Sequence, residues 1–267
     1  MDKTDLKPIG YGIGYLAVIP IRKHPFHSSE MTSQVLFGET FTILEKYHNW
    51  RRIRCSYDNY GGWVNQSEYQ QIAEDTFVAL SNLPLSVATD LVQVMLDHTR
   101  NRMFPVLIGS SLPGLQNQSF EIEGVQYSFD GASVAPGIGT HCRKLVENAY
   151  MYLHSPYLWG GRMPFGIDCS GFVQMVYKLC GIPLLRDSSQ QATQGEIVNL
   201  LSEAHPGDLA FFDNEEGEIN HVGILLDRQT IIHASGKVRT DMIDHHGIFD
   251  EQNKQYTHKL RLIRRII

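Results

Sequence analysis

The chain has 267 residues, enough for two or three domains, and 42% of them are hydrophobic, the proportion of a globular fold. Its 29 acidic and 23 basic residues give a formal charge of -6, and no long Lys/Arg tract or basic helix stands out, which argues against nucleic acid as a partner. No stretch is long and apolar enough to span a membrane, and residues 1–5 lead to Pro8 without the basic flank or small-residue cleavage pattern of an export leader, so a cytoplasmic protein is expected.

Cys55, Cys142, Cys169 and Cys180 are irregularly spaced without a CxxC pair and read as mostly reduced thiols, with one disulfide still open. In chain order, residues 10–19 read as one strand or two short ones ended by Pro20. They form no phosphate loop, because the lysine and Ser/Thr of a nucleotide-binding turn are missing. Residues 34–39 and 40–46 alternate around Gly38, residues 49–55 alternate again, and a turn at 58–62 leads into Trp63 and Val64. Short strands at this spacing predict a small antiparallel barrel over residues 1–70. Residues 76–80, 91–95, 103–108 and 119–123, with a turn at 109–115, predict a second barrel over residues 71–135. Gly131, Pro136, Gly137 and Gly139 then mark a surface crossing.

From residue 140 the period changes. Leu145, Ala149 and Tyr152 share one face of a helix predicted over residues 141–153. After the Gly/Pro-rich loop 160–168, a second helix is predicted over residues 169–179, with Phe172, Val173, Val176, Tyr177 and Leu179 as its apolar surface and Gly181 as its stop. Gly171, in its first turn, permits close backbone approach. A short helix from Ser188, strands at 209–212, 221–226 and 230–234, and a terminal strand with basic residues toward solvent complete the reading.

Cys169 stands at a helix start, where unpaired N–H groups and the peptide dipoles favour a thiolate. A lone cysteine is otherwise most often a small buried hydrophobe. His221 opens one strand and His233 nears the end of the next, so adjacent strands can carry both imidazoles to one side of a sheet, within reach of Cys169. A cysteine, a histidine and a third group that orients the ring make a nucleophilic centre. Ordinary strand histidines remain the alternative. Zinc is a further one, although no close ligand pair has the usual spacing, and His245 and His246, being consecutive, would point apart in a strand.

Asp168-Cys169-Ser170-Gly171-Phe172-Val173-Gln174, then Gly207-Asp208-Leu209, His221-Val222-Gly223-Ile224 and Ile232-His233-Ala234, resemble the NlpC/P60 family of cell-wall peptidases over residues 140–267. Leu36-Phe37-Gly38-Glu39 and Tyr60-Gly61-Gly62-Trp63-Val64 are similar to bacterial SH3-like domains. The resemblance implies an α+β protein: a papain-like catalytic domain at 140–267 preceded by two SH3-like β-barrels at 1–70 and 71–135. It implies Cys169 as nucleophile, His221 as general base and His233 as the residue that orients it, with no metal or organic cofactor. For substrate it implies Asp168 at the free amino group of an N-terminal L-alanine, and Ser170 with Ser188 along the peptide site, Ser189 being the alternative to Ser188. Tyr60 and Glu30 are implied at the amino end. The expected reaction is cleavage of the gamma-D-glutamyl-L-diamino acid bond in free murein peptides, with no obligate protein partner. An endopeptidase of intact peptidoglycan and a binding protein with an inactive third domain stay open.

Overall fold

A computed structural model describes residues 7–135 and 142–267. The expectations for residues 1–5, for the crossing beyond residue 135 and for His141 lie outside the described residues. The chain divides into two compact units, Met1–Pro136 and Gly137–Ile267.

In the first unit, seven antiparallel strands form one sheet, ordered Met31–Leu36, Val18–Arg22, Gly61–Asn65, Trp50–Cys55, Thr40–Tyr47, Gly10–Ile13 and Gln70–Ile72. The alternation in the sequence becomes an alternation of faces: Ile19, Ile21, Val35, Phe41, Ile43, Ile53 and Val64 all turn inward and are buried. Among the described residues the outermost strands, Met31–Leu36 and Gln70–Ile72, each pair with one neighbour, so the sheet is open where a closed barrel was expected.

The second expected barrel is replaced by two small sheets. One has four strands (Arg102–Leu107, Val92–Asp97, Val125–Ser128, Ser119–Ile122) and the other three (Ser111–Pro113, Leu85–Ala88, Ser133–Val134). Their core is shared: Met95, Val106, Phe120 and Tyr127 cluster with Ile13 and Ile72 of the first sheet and with Phe37 in the turn after Met31–Leu36. The Phe37 ring lies 5.4 Å from Phe104 and 5.6 Å from Tyr127. Apolar faces covered by a neighbouring layer need no closing strand to bury them. Residues 76–80, expected as a strand, belong to the helix Glu74–Asn82, whose first turn carries Glu74 and Asp75 against the helix dipole. The expected turn at 109–115 contains the strand Ser111–Pro113.

In the second unit the helices Cys142–Met151, Cys169–Leu179 and Ser188–Gln191 accompany a seven-stranded antiparallel sheet. Its order is Glu196–Val198, Gln255–Arg265, Leu209–Asp213, Ile219–Leu225, Thr230–Ser235, Lys237–Ile243 and Gly247–Asp250. Gly247–Asp250 also pairs with Gln255–Arg265, so six strands close on themselves around Ala210, Phe212, Leu225, Ile231, Ile248 and Ile263. The helix Cys169–Leu179 is buried along its whole length, more than its apolar stripe alone predicts. It ends at Gly181, at φ +75°, where the Gly181 and Ile182 N–H groups bond back to the Lys178 and Tyr177 carbonyls. At Gly171 an added Cβ would lie 2.2 Å from the Gly161 carbonyl oxygen. The loop before the helix folds back over its first turn only because that position is glycine.

Candidate active site

Asp168 is the N-cap of the helix that begins with Cys169, its Oδ1 accepting from the Gly171 N–H at 2.7 Å. Its other oxygen accepts from the Gly160 N–H at 2.8 Å and so fixes the returning loop. Arg186, 1% exposed, completes the arrangement with Nη1 3.0 Å from Asp168 Oδ1 and Nη2 2.6 Å from Oδ2. Nη1 also donates to Ser170 Oγ at 2.9 Å, and the Ser170 hydroxyl stands 3.3 Å from Asp168 Oδ1. The two carboxylate oxygens thus meet five donors, which fills their lone-pair sites. A substrate ammonium, the role implied for Asp168, meets a carboxylate already fully engaged. Ser188 is buried as the first residue of Ser188–Gln191, which Asp187 and Gln190 cap reciprocally, whereas Ser189 is exposed.

His221 and His233 come from neighbouring strands, and both are buried. His221 Nε2 lies 2.8 Å from His233 Nδ1, and His233 Nε2 lies 2.8 Å from Asp241 Oδ2. Arg239 Nη2 donates to Asp241 Oδ1 at 2.6 Å. His258, on the last strand, stacks on His221 with ring centroids 4.1 Å apart.

The electrostatics run against the thiolate expectation. Burial pushes the Cys169 thiol up to about 12, and the Asp168 charge adds to this. The N–H groups of Val222 and Ser170 and the Arg186 guanidinium oppose it, and the Val222 contact sets the sulfur against the residue that follows His221. Burial, aided by His233 and His258, holds His221 well below the usual imidazole value, and burial lowers His258 to about 4. In both Cys169 and His221 desolvation is the largest cause, and both shifts favour the uncharged form. The Tyr157 phenol, raised by burial and by Cys169 and Asp168, stays protonated as an O–H near the sulfur.

In the second unit Asp168 and Ser170 flank Cys169 at the helix start, the Cys169 sulfur meets the Val222 backbone next to His221, and His221 contacts His233. Tyr60 and Glu30 lie in the first unit. Tyr60 is half-buried, with its N–H on Asp58 Oδ1 at 2.9 Å, and Glu30 is exposed and pairs with Lys23 at 3.0 Å. His245 and His246 sit in a turn with rings 3.9 Å apart instead of pointing apart in a strand. Among the described residues no group of three or more His, Cys, Asp or Glu is placed to hold a metal, and Cys55, Cys169 and Cys180 are in no disulfide. Sequence reasoning missed Tyr157, Arg186, Arg239, Asp241 and His258. Only Arg186 carried a signal, as a charge directly after the apolar Leu184-Leu185.

A buried thiol at a helix N-terminus, set against an imidazole held by a second polar ring on the adjoining sheet, is the arrangement of a papain-like cysteine peptidase. Residues 154–261 match the NlpC/P60 family model, and residues 21–68 match that of the bacterial dipeptidyl-peptidase SH3 domain. The second unit thus belongs to the NlpC/P60 family of cysteine peptidases, and the first carries one SH3-like domain where two were expected. The chain is related to a gamma-D-glutamyl-L-lysine dipeptidyl-peptidase of Bacillus cereus, 25% identical over 230 residues that cover 78% of this chain and 68% of the relative. The enzyme of the same description from Bacillus subtilis is 37% identical over 107 residues, 39% of this chain and 36% of that one. Among solved structures, an NlpC/P60 family protein from Bacillus cereus superposes with a TM-score of 0.81 at 19% identity, covering 96% of this chain and 99% of the other. An NlpC/P60 endopeptidase from Photobacterium damselae gives 0.73 at 17%, covering 97% and 71%. At these identities the two structures speak for the fold alone. No helix among the described residues is long and apolar enough to cross a membrane.

Proposed function

We propose that this chain hydrolyses the gamma-D-glutamyl-L-diamino acid bond of murein peptides that carry a free N-terminal L-alanine. The observation that carries the reading is the 2.8 Å contact between His221 Nε2 and His233 Nδ1, which leaves His221 Nδ1 to serve the sulfur. The similarity to two gamma-D-glutamyl-L-lysine dipeptidyl-peptidases supplies the bond. His221 takes the thiol proton as Cys169 Sγ attacks the gamma-carbonyl of D-glutamate, so no standing thiolate is needed. Backbone N–H groups at the start of the Cys169 helix meet the oxyanion. The His221 imidazolium then protonates the departing amine of the diamino acid, and a thioester remains. Water, deprotonated by His221, releases L-Ala-D-Glu and restores the thiol.

Ser170 and Ser188 line the peptide in this proposal, and Asp168 contributes through the loop and Ser170 that it holds. Tyr60 and Glu30 are kept as determinants of the amino end on the resemblance alone. Work on free peptides would suit a cytoplasmic enzyme.

The test is to incubate the protein with L-Ala-gamma-D-Glu-L-Lys, the diaminopimelate analogue and the N-acylated forms, and to identify products by mass. Release of the diamino acid from free peptides with poor cleavage of acylated ones is expected. Equal cleavage of both would overturn amino-end recognition, and cleavage of intact peptidoglycan alone would favour a wall hydrolase. Binding without any product would favour the non-catalytic alternative.

A further inference from the structure

We infer that Asp241 is a positioning residue that sets the direction of the hydrogen-bond chain behind His221 and lets His233 carry the positive charge that forms when the sulfur gives up its proton. The inference rests on the reading of Cys169 and His221 as the reacting pair. An ionised carboxylate can only accept, so His233 must carry its proton on Nε2 to bond Asp241 Oδ2 at 2.8 Å. In a singly protonated His233 ring Nδ1 is then an acceptor, and the 2.8 Å contact to His221 Nε2 requires a proton on that nitrogen. The remaining nitrogen of His221, Nδ1, is left with its lone pair, which is what a base needs.

When Nδ1 takes the thiol proton, the proton on His221 Nε2 can pass to His233 Nδ1. His221 is then neutral again, and the cation is His233, against the carboxylate. The reverse shift returns the proton for the leaving amine, and no proton is gained or lost overall.

The groups around His233 fit this role. His221 faces it from Ile219–Leu225, Asp241 and Arg239 from Lys237–Ile243, and His258 from Gln255–Arg265 with ring centroids 5.6 Å away. His258 is held neutral by burial, and His233 and Arg239 hold the Asp241 carboxyl below its ordinary range. Arg239 is shared between Asp241 at 2.6 Å and Asp250 at 3.9 Å, so the local charge without the histidines is one negative. The side chain of Asp241 is 8% exposed, which leaves little water to replace it.

The test follows alkylation of Cys169 by iodoacetamide as a function of pH, read on the Cys169 peptide by mass because other cysteines outside disulfides are present. This readout needs no substrate, so failure to cleave murein peptides sinks the proposed function without touching this inference. In Asp241→Asn the rate at pH 7 should fall about 10- to 100-fold, the scale of one hydrogen bond to a charged group. Its acid limb should move to lower pH, because the protonated histidine pair has lost its counter-charge. Asp241→Glu should restore most of the rate. A folded Asp241→Asn with unchanged rate and unchanged acid limb would overturn the inference. If that variant fails to fold, nitrogen-15 histidine NMR of the wild-type chain decides: His221 and His233 should both carry the proton on Nε2, and Nδ1 protonation of either ring would overturn it.

Discussion

Replacing Arg186 by methionine tests whether the buried pair with Asp168 holds the loop before Cys169. The change removes three short contacts, at 3.0 and 2.6 Å to Asp168 and 2.9 Å to Ser170. It leaves a carboxylate that is 7% exposed without its cation. Breaking a buried ion pair from one side costs about 3–5 kcal/mol, because the remaining charge stays desolvated. Asp168 keeps the Gly171 and Gly160 amides at 2.7 and 2.8 Å, which places the expected loss near the lower end, about 3 kcal/mol. For a unit of this size that corresponds to a melting temperature lower by roughly 10 °C. Arg186→Lys keeps the charge but not the two-pronged geometry and should fall between. In Arg186→Met with Asp168→Asn no charge is left unpaired, so the double variant should be more stable than the sum of the singles by over ~1 kcal/mol. Urea unfolding monitored by circular dichroism gives all four corners of the cycle. A single variant within about 1 kcal/mol of wild type, or strict additivity in the double, would refute the reasoning.

Other expectations follow from the same geometry. Gly171→Ala forces a Cβ to within 2.2 Å of the Gly161 carbonyl, and a loss of about 1–3 kcal/mol in urea unfolding is expected, with unchanged stability counting against the close approach. His221 and His258 are held neutral below the ordinary value of 6.5, so the unfolded chain takes up protons first as the medium is acidified. Their share of stability is therefore whole above about pH 6.5 and declines as pH falls toward about 4, the value for His258. Urea midpoints between pH 7.5 and 4.5 should show the decline and His258→Gln should flatten it, whereas a midpoint independent of pH would contradict it. Cys169→Ala should abolish turnover while calorimetry still detects peptide, and wild-type turnover in that variant would remove the thioester. Tyr60→Phe and Glu30→Gln should raise KM for the free peptide more than they lower kcat, and unchanged kinetics would take both out of the proposal.

The Cys169 helix was legible because its signals are local: a glycine where the loop crosses, an apolar stripe and a stopping glycine. The neighbouring strands of His221 and His233 were readable for the same reason. Arg186 contacts Asp168 from 18 residues away, and a buried arginine looks like any surface arginine until the chain is folded. The sequence therefore shows Asp168 without the guanidinium and the two backbone amides that its carboxylate holds. Asp241 and His258 depend on strand register, and within the alternating tail a histidine stacked on His221 is no different from one facing water. Residues 76–80 misled because Phe77-Val78-Ala79-Leu80 has strand composition over a span too short to show a helical period. In the first unit, alternation and turns located the strands but not their partners, and partners decide whether a sheet opens, closes or splits.

The last long strand both completes the ring of six and supplies His258. During synthesis, a ribosome that has made Cys169, His221 and His233 still holds a polypeptide whose ring is unfinished. Closure of that ring thus waits for the strand Gln255–Arg265. A deletion before residue 255 should leave a thiol that alkylates freely and cuts nothing.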